Sequence, residues 1–417
     1  MTAQSLLERR FNVLGRHSPL FYEKPLQLVR GEGVWVHDID GKRYLDAYNN
    51  VPHVGHCHPR VVEALRRQAG ILNSHTRYLD ETVVNYAEQL LSTFQPSLNR
   101  VFLTCTGSES NELALRIARE TTGNMGVIST DFAYHGNTAA VSQISSVFTP
   151  ASKRGPFVRY VPVMDPYRQR KPAEFYIGQL QEAIDDFARN GVKLAAVLFC
   201  TAFSSEGLPD VPAGYFPGIA AAVHAAGGLV IADEVQAGFG RFGSHMWGHD
   251  RHGMLPDLVT MGKPMGNGHP LAGVVTTAAL MEAFTSQNMY FNTFGGNEVS
   301  AAVGHAVLNV LRDEQLLENA LTVGSHVLSG MRGFRHECIG DVRGQGMFFA
   351  VEIVSADGKP DAAKTKRIVN SMREHGVLIS RIGPHDNILK IRPPMVFTKD
   401  NADVLLSTLD TVLSELS

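Results

Sequence analysis

Three short runs carry side chains that could do chemistry together. Lys263 follows the apolar run DLVTM by two residues. Buried in a closed pocket, its amine would lose proton affinity, because desolvation disfavours the ammonium, and would gain nucleophilicity toward an aldehyde. A loop lysine on the surface is the commoner case for one lysine judged alone. Asp233 ends the run LVIAD and leads into Glu234-Val235-Gln236. A carboxylate at the exit of a buried strand is costly unless something answers its charge, and a protonated ring nitrogen is such a partner. Taken by itself, a core aspartate satisfied by backbone donors is the better reading. Thr106-Gly107-Ser108 follows VFLTC and opens a helical run, ELALRIAR. Thr106 and Glu109 fit a capping box, and a glycine with two hydroxyls at a helix start is an anion site, since free N–H groups point outward along the helix dipole. An ordinary capped helix that binds nothing has the same signature.

These residues need a scaffold that brings strand exits together. From about Pro59 to about Leu311, runs of strand length (VFLTC, GVIS, AAVLF, LVIAD, DLVTM, AGVVTT) alternate with helix-like segments. That alternation predicts an α/β domain with a mostly parallel central sheet. In such sheets ligands bind beyond the carboxyl ends of the strands, which is where all three runs lie. The first 50 residues predict a strand and hairpin, VWVHDIDGKRYLD, with Asp40-Gly41 at the turn. Beyond Leu311 the pattern predicts a helix over 314–331, strands near MFFAVEIV and ILKIRPP, and a last helix over 399–416. The expected layout is a large domain over 56–312, a smaller α+β domain over 313–417, and an N-terminal segment, 1–55, that joins the smaller domain.

A phosphate cradle, an acid for a ring nitrogen and an amine for an aldehyde match the three functional handles of pyridoxal 5'-phosphate (PLP). The run Gly238-Phe239-Gly240-Arg241-Phe242-Gly243 fits GxGxxG, but SHMWGHD follows it instead of a helix. A dinucleotide fingerprint must open a helix, so a nicotinamide cofactor is not expected.

From about Leu26 to the end, the chain resembles the class III aminotransferases, PLP enzymes of fold type I. The likeness rests on YLDAYNNVPHVGHCHP, CTGSESNELALRIAR, FAYHGNT, GGLVIADEVQAGFGRFG, VTMGKPMGNGHPLAGVV and FNTFGGN, in that order and spacing. The resemblance implies that Thr106, Gly107 and Ser108 bind the cofactor phosphate. It implies that Tyr134 stacks on one face of the ring, with His135 and Gly136 shaping that loop, and that Val235 packs on the other. Asp233 would pair with the ring nitrogen, Gln236 would contact the ring hydroxyl, and Lys263 would hold the cofactor as a Schiff base and shuttle the proton. Thr293 would reach the cofactor phosphate of a neighbouring subunit, implying a homodimer with shared sites.

Within the class, NNVPHVGHCHP, LNSHTRYL, VTMGKPMGNGHP and GPHDNILKIRPPMVFT are most similar to the branch containing ethanolamine-phosphate phospho-lyase and phosphohydroxylysine lyase. Relatives that transaminate alanine and glyoxylate share much of this. A lyase must hold a substrate phosphate apart from the cofactor's own. Arg77 is the first candidate, because guanidinium binds phosphate bidentately, and Asn50 and Arg392 could assist. Arg77 in a surface salt bridge is the competing reading. Two departures bear on the choice. Members of the class commonly carry a glutamate that masks an arginine so that one site takes two substrates in turn; here Cys200 falls at that place, and Glu206 lies six residues on. The named lyases keep that glutamate, so its absence removes a transaminase feature without itself marking a lyase. Cys105 stands where the class usually has asparagine. The expected activity is phosphate elimination from a phosphorylated amine such as phosphoethanolamine. The alternative is transfer of an amino group from a small amine or β/ω-amino acid to a keto acid.

Composition narrows the setting. A formal charge of −3, from 38 basic and 41 acidic residues, gives no pull toward nucleic acid or membranes. Cys57, Cys105, Cys200 and Cys338 form no CxxC pair, so neither zinc nor a disulfide framework is suggested. The opening MTAQSLLERRF lacks a secretory apolar core, and Gly218 to Ile231 is too short and glycine-broken to span a bilayer. A cytoplasmic protein is expected.

Overall fold

The structure, a computed structural model, describes residues 3–150 and 153–416. After an opening helix, Ala3–Leu14, come β1 (Leu28–Glu32), β2 (Trp35–Asp38) and β3 (Arg43–Asp46). The middle supplies β4 (Arg100–Thr104), β5 (Gly126–Thr130), β6 (Val158–Val161), β7 (Leu194–Cys200), β8 (Leu229–Asp233), β9 (Leu258–Met261) and β10 (Ala272–Thr276). The last stretch adds β11 (Ile339–Gln345), β12 (Phe348–Ile353), β13 (Val377–Leu378), β14 (Ser380–Ile382) and β15 (Ile388–Ile391).

The seven middle strands form one sheet, ordered β4-β10-β9-β8-β7-β5-β6. It is parallel except for β10, which runs antiparallel to both neighbours. Strands β7 and β9 are buried at every residue, as expected for a sheet covered on both faces. All six apolar runs singled out above are strands of this sheet. The seventh, β6 (VRYV), is an edge strand with two half-buried residues at its centre. It lacks the continuous apolar run that marks the others.

The hairpin β2–β3 forms around Gly41, whose φ of +83° is the left-handed turn conformation that glycine tolerates. β3 pairs in parallel with β13, so the opening segment is tied to the C-terminal stretch. A third sheet, β11-β12-β15-β14, is antiparallel throughout. We propose on this basis that 1–55 and 313–417 act together as the smaller domain. The C-terminal helices run Leu316–Arg332, Ala362–Glu374 and Lys399–Glu415. Among the described residues no helix is long and apolar enough to cross a membrane.

The GxGxxG-like run is a turn-rich loop. A Cβ on Gly240 or Gly243 would strike Leu317 or Leu321 of the helix Leu316–Arg332. These glycines therefore permit close packing. Between them, buried Arg241 donates to the carbonyls of Met347 and Pro393 at 3.2 and 2.7 Å, clamping the smaller sheet onto the larger one.

Candidate functional site

Register lines the chemistry up. Cys200 on β7 lies opposite Asp233 on β8, and Asp233 lies opposite Thr260 on β9. Neighbouring strands are about 4.8 Å apart, so these strand exits and Lys263, three residues past Thr260, share one edge of the sheet. There a cavity of ≈ 100 Å³ is lined by Thr106, Gly107, Ser108, Tyr134, His135, Gly136, Cys200, Asp233, Val235, Gln236 and Lys263. Ten of the cofactor-site residues named from sequence thus line one cavity, although they are spread over more than 150 positions of the chain. Thr293 does not line it.

Each wall has a local cause. Helix Gly107–Thr122 starts with a complete capping box: Thr106 accepts from the Glu109 N–H, and Glu109 reaches back to the Thr106 N–H. The Glu109 carboxylate also accepts from the Cys105 N–H at 2.7 Å. Gly107 and Gly136 keep the cradle open to its neighbours, since a Cβ would come within 2.9 Å of Val235 at the first and 2.5 Å of the Ser108 hydroxyl at the second. Ser110 ties the same helix to the ends of β4 and of β9, the strand that leads to Lys263, through Thr104 at 2.8 Å and the Met261 carbonyl at 3.2 Å.

Asp233 is buried and well supplied with donors. Its Oδ2 accepts from Asn111 Nδ2 at 3.0 Å and lies 2.6 Å from His135 Nδ1, and its Oδ1 accepts from the Val235 N–H at 2.9 Å. Asn111 is fixed in turn, accepting from Thr260 Oγ1 at 2.6 Å and donating to the His135 carbonyl at 2.7 Å. Sequence reasoning missed Asn111. Its signal was available, four residues after Gly107 and so on the same helix face one turn on. Lys263 has its pKa lowered to about 8, chiefly by burial and then by the nearby Arg392 guanidinium. Cys200 is pushed up to about 12, again mainly by burial, so its thiol stays protonated. Its Sγ sits 3.6 Å from Ser204 Oγ.

The three substrate candidates separate. Arg392 is buried beside the cavity; its Nη1 donates to Gln236 Oε1, its guanidinium covers the Tyr48 ring at 4.5 Å, and its Nε has no partner. Glu206 does not mask it, being engaged by Thr130 Oγ1 at 2.6 Å and the Ser205 N–H at 3.0 Å. Asn50 is buried with neither amide atom partnered, outside the cavity lining. Arg77 is exposed and stands over the Phe291 ring at 3.9 Å. Thr293 is exposed in the same loop, beside Asn292, whose amide reaches Glu109 at 3.5 Å. Within one protomer, then, Arg77 and Thr293 belong to one surface patch and not to the cradle. A second missed residue is Lys390, buried and two positions before Arg392; the alternation within ILKIR could have shown that the two cations share a strand face.

The central sheet, the smaller sheets and the cavity at the strand exits define an enzyme of fold type I, whose cofactor is PLP. Residues 21–413 match the model of the class III aminotransferases, and the chain belongs to that family. An alanine–glyoxylate aminotransferase 2-like protein of Drosophila melanogaster is 41% identical over 94% of this chain and 83% of its own. An ethanolamine-phosphate phospho-lyase homolog of Caenorhabditis elegans is 35% identical over 99% of this chain and 93% of its own. Among solved structures, a phospholyase from Arthrobacter in complex with phosphoethanolamine superposes with a TM-score of 0.96 at 49% identity, covering 99% of this chain and 100% of that one.

Proposed function

We propose that the protein is a PLP-dependent phospho-lyase that eliminates phosphate from a phosphorylated amine such as phosphoethanolamine, giving aldehyde, ammonia and inorganic phosphate. The observation that carries this reading is the unmasked Arg392, buried beside Gln236 and near Lys263 with no carboxylate paired to it among the described residues. A site that takes two unlike substrates in turn needs that charge hidden for one of them; a site with one anionic substrate does not. The likeness to the Arthrobacter phospholyase supports the same choice.

The cradle suits the cofactor on its own geometry: a glycine-opened helix start, a buried carboxylate and an amine of lowered pKa around one cavity. Thr106, Gly107 and Ser108 would hold the phosphate, Tyr134 and Val235 the two ring faces, Asp233 the ring nitrogen and Gln236 the ring hydroxyl, with His135 steadying Asp233. When bound, PLP withdraws electrons from the carbon that bears the substrate amine. Lys263 takes the proton from that carbon, and the C–O bond to phosphate on the neighbouring carbon breaks. Arg392 holds the departing phosphate, and addition of water releases acetaldehyde and ammonia.

We further propose that two copies share their sites, with Thr293 and Arg77 serving the partner's cavity. Ile71, Leu72, Tyr78, Leu79, Phe291 and Phe294 are exposed around these residues, an apolar patch of the kind that marks an interface. Four free cysteines suit a reducing compartment, and we assign the protein to the cytoplasm on that basis.

Pure holoenzyme given phosphoethanolamine and no keto acid should release phosphate and acetaldehyde continuously. Background release, together with amine turnover that requires a keto acid, would make it an aminotransferase. Arg77→Ala should raise KM for phosphoethanolamine by about 10- to 100-fold, the worth of a charge-assisted pair, with far less effect on an unphosphorylated amine. Mixing this variant with Lys263→Ala and letting subunits exchange should recover low-KM activity. No recovery would remove Arg77 from a shared site.

A further inference from the structure

Strand β15 buries the Lys390 amine with no carboxylate paired to it among the described residues. Residues two apart on a strand share a face at about 7 Å, and Ile388, Lys390 and Arg392 all meet the carboxyl edge of the central sheet. Ile388 packs with Cys200 and Ala202. Lys390 Nζ donates to the Ser204 carbonyl at 2.5 Å, and Arg392 donates to Gln236. The titratable groups facing Lys390 are Arg392 from its own strand, Cys200 at the end of β7, Glu206 in the following loop and Lys263 beyond β9. Glu206 is the one acid among them. Its carboxyl is taken by Thr130 and Ser205, and burial raises its pKa toward the neutral form. Two buried cations with no paired anion are costly, and such an arrangement is resolved by a ligand that brings the missing charge.

We propose that Lys390 is a specificity-determining residue, which with Arg392 forms a two-cation site balanced only when a dianionic head group enters. This rests on the phospho-lyase reading and deepens it. Lys390 acts on the charge of the site and is not a catalytic residue. In the free protein, burial and Arg392 hold the Lys390 amine well below its usual pKa. A dianion nearby draws the proton back, so anion binding takes up a proton.

Lys390→Gln tests this, because it keeps an N–H donor for Ser204 and loses the charge. Lys390→Arg restores the charge, and Lys390→Met serves should the glutamine variant not fold. Inorganic phosphate is titrated into the holoenzyme by calorimetry in two buffers of different ionisation heat, which counts protons taken up. The uncharged variant should bind phosphate about tenfold more weakly or worse and lose the proton uptake. Its KM for phosphoethanolamine should rise to match, with kcat within about twofold, while the spectral response to ethanolamine stays unchanged. Lys390→Arg should recover the KM. Equal losses for phosphoethanolamine and ethanolamine, or wild-type phosphate affinity with unchanged proton uptake, would overturn the proposal. Phosphate binding that depends on Lys390 in an enzyme that releases no phosphate would sink the lyase reading and leave this one standing.

Discussion

Lys263→Ala should lower phosphate release from phosphoethanolamine by about 10³-fold or more, since on the proposed roles the variant loses both the group that attaches the cofactor and the base that moves the proton. Borohydride should fix cofactor to the wild-type chain and not to the variant, by mass. The amine is prepared for this work by its position. It sits two residues past β9, in line with Asp233 across the sheet, and burial and the Arg392 guanidinium bring its pKa to about 8. The sign of the pH dependence follows. Attachment needs the neutral amine, and a lowered pKa enlarges the neutral fraction below the usual lysine range. Capture of PLP by the apo-protein should therefore rise with pH through about 8 and level off above it, falling about tenfold per unit on the acid side. A rise that continues toward pH 10 would mean an ordinary, solvated lysine. In that event the desolvation argument fails, even if Lys263 is still the residue modified.

Much of this site was legible because strand exits are legible. Asp233, Lys263 and the Thr106–Ser108 turn each follow a run of four or five apolar residues, and a parallel sheet must deliver such exits to one edge. The helix start at Thr106 was equally plain, because a capping box is written in consecutive residues. What sequence hid was whatever depends on non-local register. β11, with Gly340, Asp341 and Gly344, has no apolar run to announce it, and its residues are mostly half-buried. Strands β13 and β14 span two and three residues, too short to carry a period. Lys390 escaped notice for a physical reason of another kind. A lysine inside an apolar strand reads as a solvent-facing residue, and it is the bond from Lys390 to the Ser204 carbonyl, in the loop after β7, that shows where the buried amine goes. Arg77 illustrates the reverse case. A guanidinium suits phosphate, yet Arg77 stands outside the cavity over the Phe291 ring, so the substrate role we propose for it requires a second chain.

Asp233→Asn carries the other large expected effect, a fall in kcat of about 10²–10³-fold with the cofactor still attached to Lys263. The substitution is nearly isosteric, so it tests charge more than shape. In the native site both carboxylate oxygens act as acceptors, for Asn111 Nδ2, the Val235 N–H and His135 Nδ1. An asparagine must turn its NH₂ toward one of these partners. If it faces Asn111, which is locked by Thr260 and the His135 carbonyl, two donors confront each other; if it faces the Val235 N–H, the turn after β8 loses its anchor. Either arrangement leaves a buried donor unpaired, at about 1–3 kcal/mol of stability, so the melting temperature should also fall. The two effects separate by a second variant. Asp233→Glu keeps the negative charge but displaces it by one methylene; if charge at the ring nitrogen is what matters, it should retain more activity than the asparagine variant even where it is no more stable. An asparagine variant with kcat within about threefold of wild type would show that the carboxylate is a structural group, held by its donors alone, and that the ring nitrogen has another partner.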